Sequence, residues 1–137
     1  MLGLFKSKKK SIRARILVVD DEPDLVSTVQ CRLKWYRCEV ITAANGKEGL
    51  EKAISEKPDL ILLDLNMPVM NGHEMLERLR NHPDLKDTPV IMLTALCEAQ
   101  DIATVSSYGI SDYITKPFDF TELMGKIANA LEIKSFE

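Results

Sequence analysis

The stretch PDLILLDLNMPVMNG, residues 58–72, decides the fold. Four consecutive apolar residues, Leu60 to Leu63, lead directly into the carboxylate of Asp64. A short apolar run followed by turn-forming residues is typical of a strand that is buried on both faces. The residues that favour a turn after this acid are Asn66, Pro68, Asn71 and Gly72. We therefore predict a buried strand that ends in an acid and continues into a turn.

Apolar runs and helical patterns alternate along the rest of the chain. The other predicted strands are RILVV (15–19), EVITA (39–43), PVIML (89–93) and DYIT (112–115). The predicted helices follow the strands in turn: DEPDLVSTVQCRLKW, NGKEGLEKAISEK, HEMLERLR, EAQDIATVSSYG and DFTELMGKIANAL. This alternation predicts an α/β fold, in which helices cover both faces of a parallel sheet.

Apolar residues at helical spacing indicate which side chains face the core. They are Leu25, Val29 and Leu33; Leu50, Ala53 and Ile54; Met75, Leu76 and Leu79; and Leu123, Ile127 and Leu131. Gly109 is placed to end the fourth helix, because glycine readily adopts the left-handed conformation that often follows a helix. Asp119 or Thr121 could cap the fifth helix.

The composition is that of one globular domain. The chain has 137 residues, of which 45% are hydrophobic and 28% charged, as is ordinary for a single folded unit. We predict a basic, disordered N-terminal tail at 1–14, a folded domain at 15–132 and a C-terminal tail at 133–137. Three irregularly spaced cysteines fit a reducing, cytoplasmic compartment.

Charge is unevenly distributed along the chain. The formal net charge is −3, but residues 1–15 contain six basic residues and no acid. The remaining residues carry 12 basic and 21 acidic side chains, which argues against nucleic-acid binding by the body of the domain. We expect the tail MLGLFKSKKK to be solvated, and contact with a membrane surface or an acidic partner is the alternative that we do not favour.

Residues suited to chemistry follow four of the predicted strands. The first strand leads into Asp20 and Asp21, the third into Asp64, the fourth ends at Thr94 and the fifth leads into Lys116. Open α/β sheets bind ligands beyond this carboxyl edge. Like charges ~4 Å apart repel by about 4 kcal/mol at an effective dielectric constant of about 20, so clustered carboxylates need a cation or a proton. Oxygen ligands of this kind suit Mg²⁺.

Each of these residues also has an ordinary structural explanation. An aspartate after a strand is usually a helix cap or a turn former, and Thr94 could likewise cap a helix. Lys116 could be a solvated loop residue. All of these explanations would have to hold together at one edge of the sheet, so we favour the hypothesis of a site.

Four segments resemble, in order, the signature segments of the receiver domain of two-component response regulators: ILVVDDEP, LILLDLNMPVMNG, PVIMLTA and DYITKPF. The resemblance extends from about Arg15 to Leu131. It implies a doubly wound (βα)5, flavodoxin-like fold with five parallel strands in the order 2-1-3-4-5. In that order the first and third strands are neighbours, as the cluster of acids requires.

The resemblance implies roles for the residues that react and switch. Asp64 matches the aspartate that accepts a phosphoryl group, and Lys116 matches the lysine that pairs with it. Thr94 matches a hydroxyl that bonds the phosphoryl oxygen, and Tyr113 matches an aromatic residue that changes rotamer with the switch. The peptide bond before Pro117 matches one that is usually cis in the family.

The resemblance also implies a magnesium site. Asp21, Asp64 and the backbone carbonyl of Asn66 match the Mg²⁺ ligands. Asp20 matches an acid that supports the metal through water or through another ligand. Mg²⁺ is therefore the cofactor that we expect.

A phosphorylation-dependent signalling switch is the function that the resemblance implies, rather than an enzyme with a separate substrate. The expected donor is a sensor histidine kinase or a histidine phosphotransfer protein. The expected output surface, which would meet a downstream protein or a second copy, comprises residues 97–108, 112–115 and 119–131. The alternative is a receiver fragment of a DNA-binding regulator or hybrid kinase, although the chain contains no helix-turn-helix segment.

Two further functions are disfavoured by particular residues. A haloacid-dehalogenase-like phosphatase also uses an aspartate at a strand end, but that family has a second aspartate two residues later. Asn66 occupies that position here and cannot donate the proton. An interaction module that is never phosphorylated would not need the full set of acids, Thr94 and Lys116.

One region departs from the family pattern. The family often has a glycine between the first helix and the second strand, whereas KWYRCEV has none. We therefore expect Trp35 or Tyr36 to pack over that corner.

Overall fold

A computed structural model of the chain describes residues 13–95, 103 and 105–136. Within them, five parallel strands form one sheet in the order β2-β1-β3-β4-β5, as the resemblance implied. The strands are β1 (Arg15–Val19), β2 (Glu39–Ala43), β3 (Leu60–Asp64), β4 (Val90–Ala95) and β5 (Asp112–Lys116). The long helices are α1 (Pro23–Trp35), α2 (Gly46–Glu56), α3 (Gly72–Arg80) and α4 (Phe120–Ala130).

Side chains of the central strands alternate between two apolar layers. In β1, Ile16 and Val18 face a layer completed by α1 and α4, and Leu17 and Val19 face one completed by α2 and α3. Because both faces are covered, β1, β3 and β4 consist almost entirely of fully buried apolar residues. This explains why LILL carries no alternation of polar and apolar residues.

The predicted core stripe of α2 is wrong at one position. Ala53 is fully buried, but Ile54 is 40% exposed. The helix lies very close to the sheet, since a Cβ atom on Gly49 would lie 2.9 Å from the methyl groups of Val19. The buried stripe therefore runs through Gly46, Gly49 and Ala53, and Ile54 is turned outward. The predicted stripes of α1 and α3 agree with the burial of their residues.

The predicted fourth helix lies mostly outside the described residues, as do Leu96 and Cys97. Of its described positions, Ala103, Val105 and Ser106 are helical. Gly109 follows this segment with a φ of +79°, which confirms the expected left-handed conformation. The predicted fifth helix is α4, and Asp119 caps it by accepting a hydrogen bond from the backbone N–H of Glu122.

Of the two residues expected over the corner between α1 and β2, Tyr36 packs there and Trp35 does not. Trp35 is 79% exposed, whereas Tyr36 is partly buried and its ring lies 5.4 Å from that of Phe136. Arg37 supplies the left-handed turn with a φ of +67°. An exposed arginine thus adopts the left-handed conformation in the corner where the family often has a glycine.

Candidate functional site

Three carboxylates meet at the carboxyl edge of the sheet. Asp64 is the last residue of β3, and Asp20 and Asp21 follow β1, which pairs directly with β3. One oxygen from each lies within 4.8 Å of the other two. Asp20 and Asp64 are buried, with 2% and 6% of their surfaces exposed, while Asp21 is exposed. The predicted convergence of these three acids is therefore what the structure shows.

The turn after β1 fixes the position of Asp20. Its backbone N–H continues the sheet by donating to the carbonyl of Ala43. Its Oδ1 accepts a hydrogen bond of 2.9 Å from the backbone N–H of Glu22, which closes a tight turn immediately before Pro23 begins α1. The side chain is consequently oriented by the same turn that starts the helix.

Lys116 reaches this cluster from the end of β5, the edge strand of the sheet. Its ammonium nitrogen lies 2.8 Å from Asp20 Oδ2, 3.4 Å from Asp64 Oδ1 and 2.8 Å from Glu22 Oε1. The contact with Glu22 was not predicted from the sequence. The one hint of this contact in the sequence was the position of Glu22 directly after the two aspartates. The peptide bond between Lys116 and Pro117 is cis, as expected.

Burial and charge perturb the protonation of the site. Burial raises the pKa of Asp64 to about 7, and the charge of Asp20 acts in the same direction, against the smaller opposing effect of Lys116. Burial lowers the pKa of Lys116, but its contacts with Asp20 and Glu22 outweigh that effect and leave the pKa above its usual range. Lys116 therefore stays charged, whereas Asp64 shares in a local excess of negative charge.

The loop after β3 is held by two close backbone approaches. The N–H of Gly72 donates to the carbonyl of Leu65, and the N–H of Gly46 donates to the carbonyl of Met70. A Cβ atom on Gly72 would lie 2.2 Å from the Asp64 carbonyl oxygen. Gly72 is therefore required for space beside the site, where the sequence suggested only turn geometry.

The tip of this loop adopts a strained backbone. Val69 has a φ of +71° and its side chain is largely exposed. The N–H of Met70 donates to the carbonyl of Pro68 across it, which forms a tight three-residue turn. β-branched residues rarely occupy the left-handed region, so the neighbouring contacts of the loop hold Val69 there.

The remaining candidate residues lie around the cluster. Thr94 is buried at the end of β4, one residue after Leu93, which pairs with Asp64; its hydroxyl donates to the Ala95 carbonyl. Tyr113 lies on the edge strand β5 and is 46% exposed. Asn66 is exposed in the loop after β3. Their positions suit the predicted roles, which remain predictions.

The donor atoms fit a small divalent cation. All three acids offer hard carboxylate oxygens, and exposed Asp21 leaves the cluster open to water on one side. Buried Asp20 Oδ2 has no well-directed hydrogen bond among the described residues, although the Lys116 ammonium lies 2.8 Å away. A buried oxygen of this kind gains from a cation that neutralises it.

A doubly wound sheet with clustered acids and a lysine at its carboxyl edge defines a class of α/β ligand-binding domains. Within that class, the family model "Response regulator receiver domain" matches residues 16–128. The chain belongs to the receiver domains of response regulators, which are signalling domains and not ordinary enzymes. Receiver domains generally bind Mg²⁺ at an acidic site, and this chain has such a cluster of aspartates.

Curated relatives are response regulators of greater length. The chain is 41% identical over 113 residues to the response regulator ArlR of Staphylococcus saprophyticus, covering 82% of this chain and 50% of that protein. It is 39% identical over 113 residues to the DNA-binding dual master transcriptional regulator RpaA of Synechocystis, with coverages of 82% and 47%. The chain thus spans about half the length of these relatives.

Solved structures of similar domains have the same fold. A putative response regulator of Chloroflexus aurantiacus has a TM-score of 0.83 and 31% identity, with 88% of this chain and 98% of that one covered. The chemotaxis protein CheY4 of Vibrio cholerae has a TM-score of 0.81 and 33% identity, with coverages of 86% and 98%. Among the described residues, no helix is long and apolar enough to cross a membrane.

Proposed function

We propose that this domain is a phosphorylation-dependent switch in which Asp64 accepts a phosphoryl group. The observation that carries the proposal is the arrangement of one buried carboxylate beside two further acids and a lysine. The three acids have oxygens within 4.8 Å of one another, and the Lys116 ammonium lies 3.4 Å from Asp64. A nucleophile, a cation-binding set and a fixed positive charge are therefore gathered at one edge.

The chemistry requires positioning and charge neutralisation. An Asp64 oxygen attacks the phosphorus of a phosphohistidine, the phosphorus–nitrogen bond breaks and the imidazole leaves with its electron pair, to be protonated by solvent. The product is an acyl phosphate on Asp64. Phosphoryl transfer of this kind depends on in-line geometry and on neutralising the transferred oxygens rather than on a strong base. Lys116 is placed to contribute that positive charge.

The cation would be held by the residues at the ends of β1 and β3. Asp21 and Asp64, with the carbonyl of Asn66, are the proposed Mg²⁺ ligands, and Asp20 supports them. When bound, Mg²⁺ supplies a second positive charge that neutralises phosphoryl oxygens and lowers repulsion among the acids. Asp64, whose pKa is raised to about 7, would then be held as the carboxylate that attack requires.

The response of the fold would begin at the neighbouring strands. An acyl phosphate presents new acceptor oxygens near the ends of β4 and β5, where Thr94 and Lys116 lie. Contacts made only in the modified state shift an equilibrium between two conformations. We propose that Tyr113 and the surface comprising residues 97–108, 112–115 and 119–131 carry this change to a protein target or to a second copy.

The partners follow from the family. A histidine kinase or a histidine phosphotransfer protein in the cytoplasm is the proposed donor. The curated relatives are about twice as long as their matched part, so a receiver that belongs to a larger regulator remains compatible with every observation. The proposed switch at Asp64 is the same in both cases, and residues 15–132 form the proposed receiver unit.

Covalent labelling tests the proposal. The purified chain is incubated with acetyl phosphate or phosphoramidate and Mg²⁺, and intact mass is measured. We expect the addition of one phosphoryl group, abolished in Asp64→Asn and by chelation of the metal. Asp84→Asn is the matched control, because Asp84 is an exposed aspartate after α3, at the opposite edge of the sheet. Labelling of Asp64→Asn at the wild-type level would refute the proposal.

A further inference from the structure

Glu22 stands at the start of α1 but its side chain does not cap the helix. It occupies the N-cap position with an extended backbone, and no hydrogen bond joins its side chain to the first turn. Its backbone builds the turn instead: its N–H donates to Asp20 Oδ1 and its carbonyl accepts from the N–H of Val26. Aspartate, asparagine or serine is the usual residue at such a position, because a short polar side chain accepts from the first N–H groups of the helix.

The carboxylate of Glu22 contacts Lys116 instead. Lys116 Nζ donates a hydrogen bond of 2.8 Å to Glu22 Oε1. Asp20 Oδ2 is equally near, at 2.8 Å, but receives no well-directed hydrogen bond, and Asp64 Oδ1 is farther away, at 3.4 Å. The ammonium is therefore oriented toward Glu22 rather than toward the residue that would accept the phosphoryl group.

The exposure of the two partners makes this contact reversible. The side chain of Lys116 is 18% exposed, whereas that of Glu22 is 61% exposed. Water can solvate the Glu22 carboxylate as soon as the contact breaks, and ion pairs with an exposed partner contribute little to the stability of a fold. Loss of the Glu22 carboxylate should therefore leave the domain folded and change the position of the Lys116 ammonium.

We propose that Glu22 is a positioning residue that slows the phosphorylation of Asp64 by holding the Lys116 ammonium away from it. The inference rests on the proposed function, in which Lys116 neutralises the oxygens of the transferred group. Those oxygens gain a donor when an N–H of the ammonium turns from Glu22 to them. The contact with Glu22 is thus stronger before transfer than in the transition state, and an interaction of that kind raises the barrier.

The same reasoning separates the formation of the acyl phosphate from its loss. Once Asp64 carries the phosphoryl group, the Lys116 ammonium has already turned to it. Glu22 then contacts Lys116 neither in the acyl phosphate nor in the transition state of its hydrolysis, so it does not change the barrier between them. Glu22 should therefore affect the rate of labelling and leave the lifetime of the label unchanged.

Three variants separate the contact from the charge. Glu22→Gln keeps the length of the side chain and removes its charge. Glu22→Asp keeps the charge, but its shorter side chain does not span the distance to Lys116 and can cap α1 instead. The control is Asp24→Asn, which removes an exposed carboxylate from the first turn of the same helix. The ion pairs of Lys116 with described residues are to Asp20, Glu22 and Asp64 and do not include Asp24.

Rates of covalent labelling test the proposal. The full chain with Mg²⁺ is mixed with phosphoramidate, whose phosphorus–nitrogen bond breaks as an Asp64 oxygen bonds the phosphorus; the nitrogen leaves with the electron pair and takes up a proton from solvent. Intact mass gives the rate, which should rise by about two- to fivefold in Glu22→Gln and in Glu22→Asp and stay at the wild-type value in Asp24→Asn. Removal of the donor then gives the lifetime, which should be the same in wild type and variants.

A second measurement does not require phosphorylation. The proton–nitrogen correlation signal of the Lys116 ammonium is recorded by NMR in the unmodified, metal-free chain. We expect Glu22→Gln and Glu22→Asp to shift this signal and to speed the exchange of its protons with water, and Asp24→Asn to leave it unchanged. Thermal unfolding checks that every variant is folded, and Glu22→Asp should raise the midpoint because it supplies the missing cap of α1.

Equal labelling rates in wild type, Glu22→Gln and Glu22→Asp would overturn the inference, as would slower labelling or an unchanged ammonium signal in both variants. Faster labelling of Glu22→Gln and Asp24→Asn alike, with Glu22→Asp at the wild-type rate, would assign the effect to charge alone and would also overturn it. A wild-type chain that is not labelled at all would refute the proposed function and the role of Glu22 together. A labelled wild type with unaffected variants would refute the role of Glu22 alone.

Discussion

The middle and the carboxyl end of the same strands are equally buried but opposite in chemistry. Val18 and Leu62 are fully buried among apolar side chains, and two residues later Asp20 and Asp64 are buried among charges. The apolar segment stabilises the fold, whereas at its carboxyl end burial and the charge of Asp20 raise the pKa of Asp64 to about 7. Stability and reactivity are therefore assigned to adjacent positions of one strand, and substitutions at the two places should have opposite consequences.

Leu62→Ala should produce the largest loss of stability. The side chain is fully buried at the centre of β3, so its truncation removes contacts and leaves a cavity. We expect the free energy of unfolding in urea to fall by about 2–5 kcal/mol. Ile54→Ala, at a partly exposed position of α2, is the control and should cost under about 1 kcal/mol. Equal losses for the two variants would contradict the assignment of stability to the buried apolar middle of β3.

Gly72→Ala tests the junction between the two regions. The added Cβ would lie 2.2 Å from the Asp64 carbonyl oxygen, so the backbone that carries Asp64 must shift. We expect a loss of about 1–3 kcal/mol in unfolding free energy and labelling of Asp64 that is slower by about 10- to 100-fold. Gly125→Ala meets no atom within 4 Å in α4 and should instead gain about 0.5–1 kcal/mol with labelling unchanged.

Asp64→Asn should stabilise the metal-free protein at pH 8. The pKa of Asp64 is about 7 in the fold and about 4 in an unfolded chain, so the folded state binds the extra proton between these values. Stability conferred by that proton is present at low pH and is lost as the pH rises through 7. We expect Asn to gain on the order of 2 kcal/mol at pH 8 and almost nothing near pH 4, as measured by urea unfolding.

Saturating Mg²⁺ should make the wild type more stable than Asp64→Asn. A ligand that binds only the folded state stabilises it, by about 2.7 kcal/mol at one hundred times its dissociation constant. Wild type should gain this stabilisation, and Asp64→Asn should gain much less. A pH-independent difference between the two proteins without metal would contradict the raised pKa of Asp64.

Arg37→Gly should produce the smallest change in stability. Glycine relieves the left-handed strain, so we expect a gain of under about 1 kcal/mol in thermal or urea unfolding. Lys57→Gly is matched in backbone, with a φ of +49°, and in charge, but lies after α2 on the other face. It should gain similar stability.

Much of this molecule was predictable because its signals are local. Apolar runs such as Leu60 to Leu63 specify buried strands, and parallel strands bring their carboxyl ends to one edge. The convergence of Asp20, Asp21 and Asp64 follows from those two facts and the strand order. Asp119 and Thr121 were the two candidate caps of the last helix, and Asp119 is the one that caps α4.

What the sequence did not predict depends on how closely helices, strands and loops approach one another in the fold. Ile54 was assigned to the core because helical spacing ignores how closely Gly49 allows α2 to approach Val19. Trp35 and Tyr36 were alternatives for packing over the corner after α1, and local sequence could not choose between them; Tyr36 packs there, beside Phe136, while Trp35 is exposed. The contact between Glu22 and Lys116 joins residues 94 positions apart, and no pattern within the chain announces it.

The ammonium of Lys116 has a consequence that follows from its number of donors. A lysine ammonium has three N–H donors, and three carboxylates, those of Asp20, Glu22 and Asp64, already surround it. The contact with Glu22 is a hydrogen bond, whereas Asp20 Oδ2 receives no well-directed one, so a further acceptor that arrives at Asp64 competes with Glu22 for the donors of the ammonium. Glu22 is the most exposed of the three and is the easiest for water to rehydrate. A new acceptor at the end of β3 would thus release Glu22 at the start of α1, because both compete for the Lys116 ammonium.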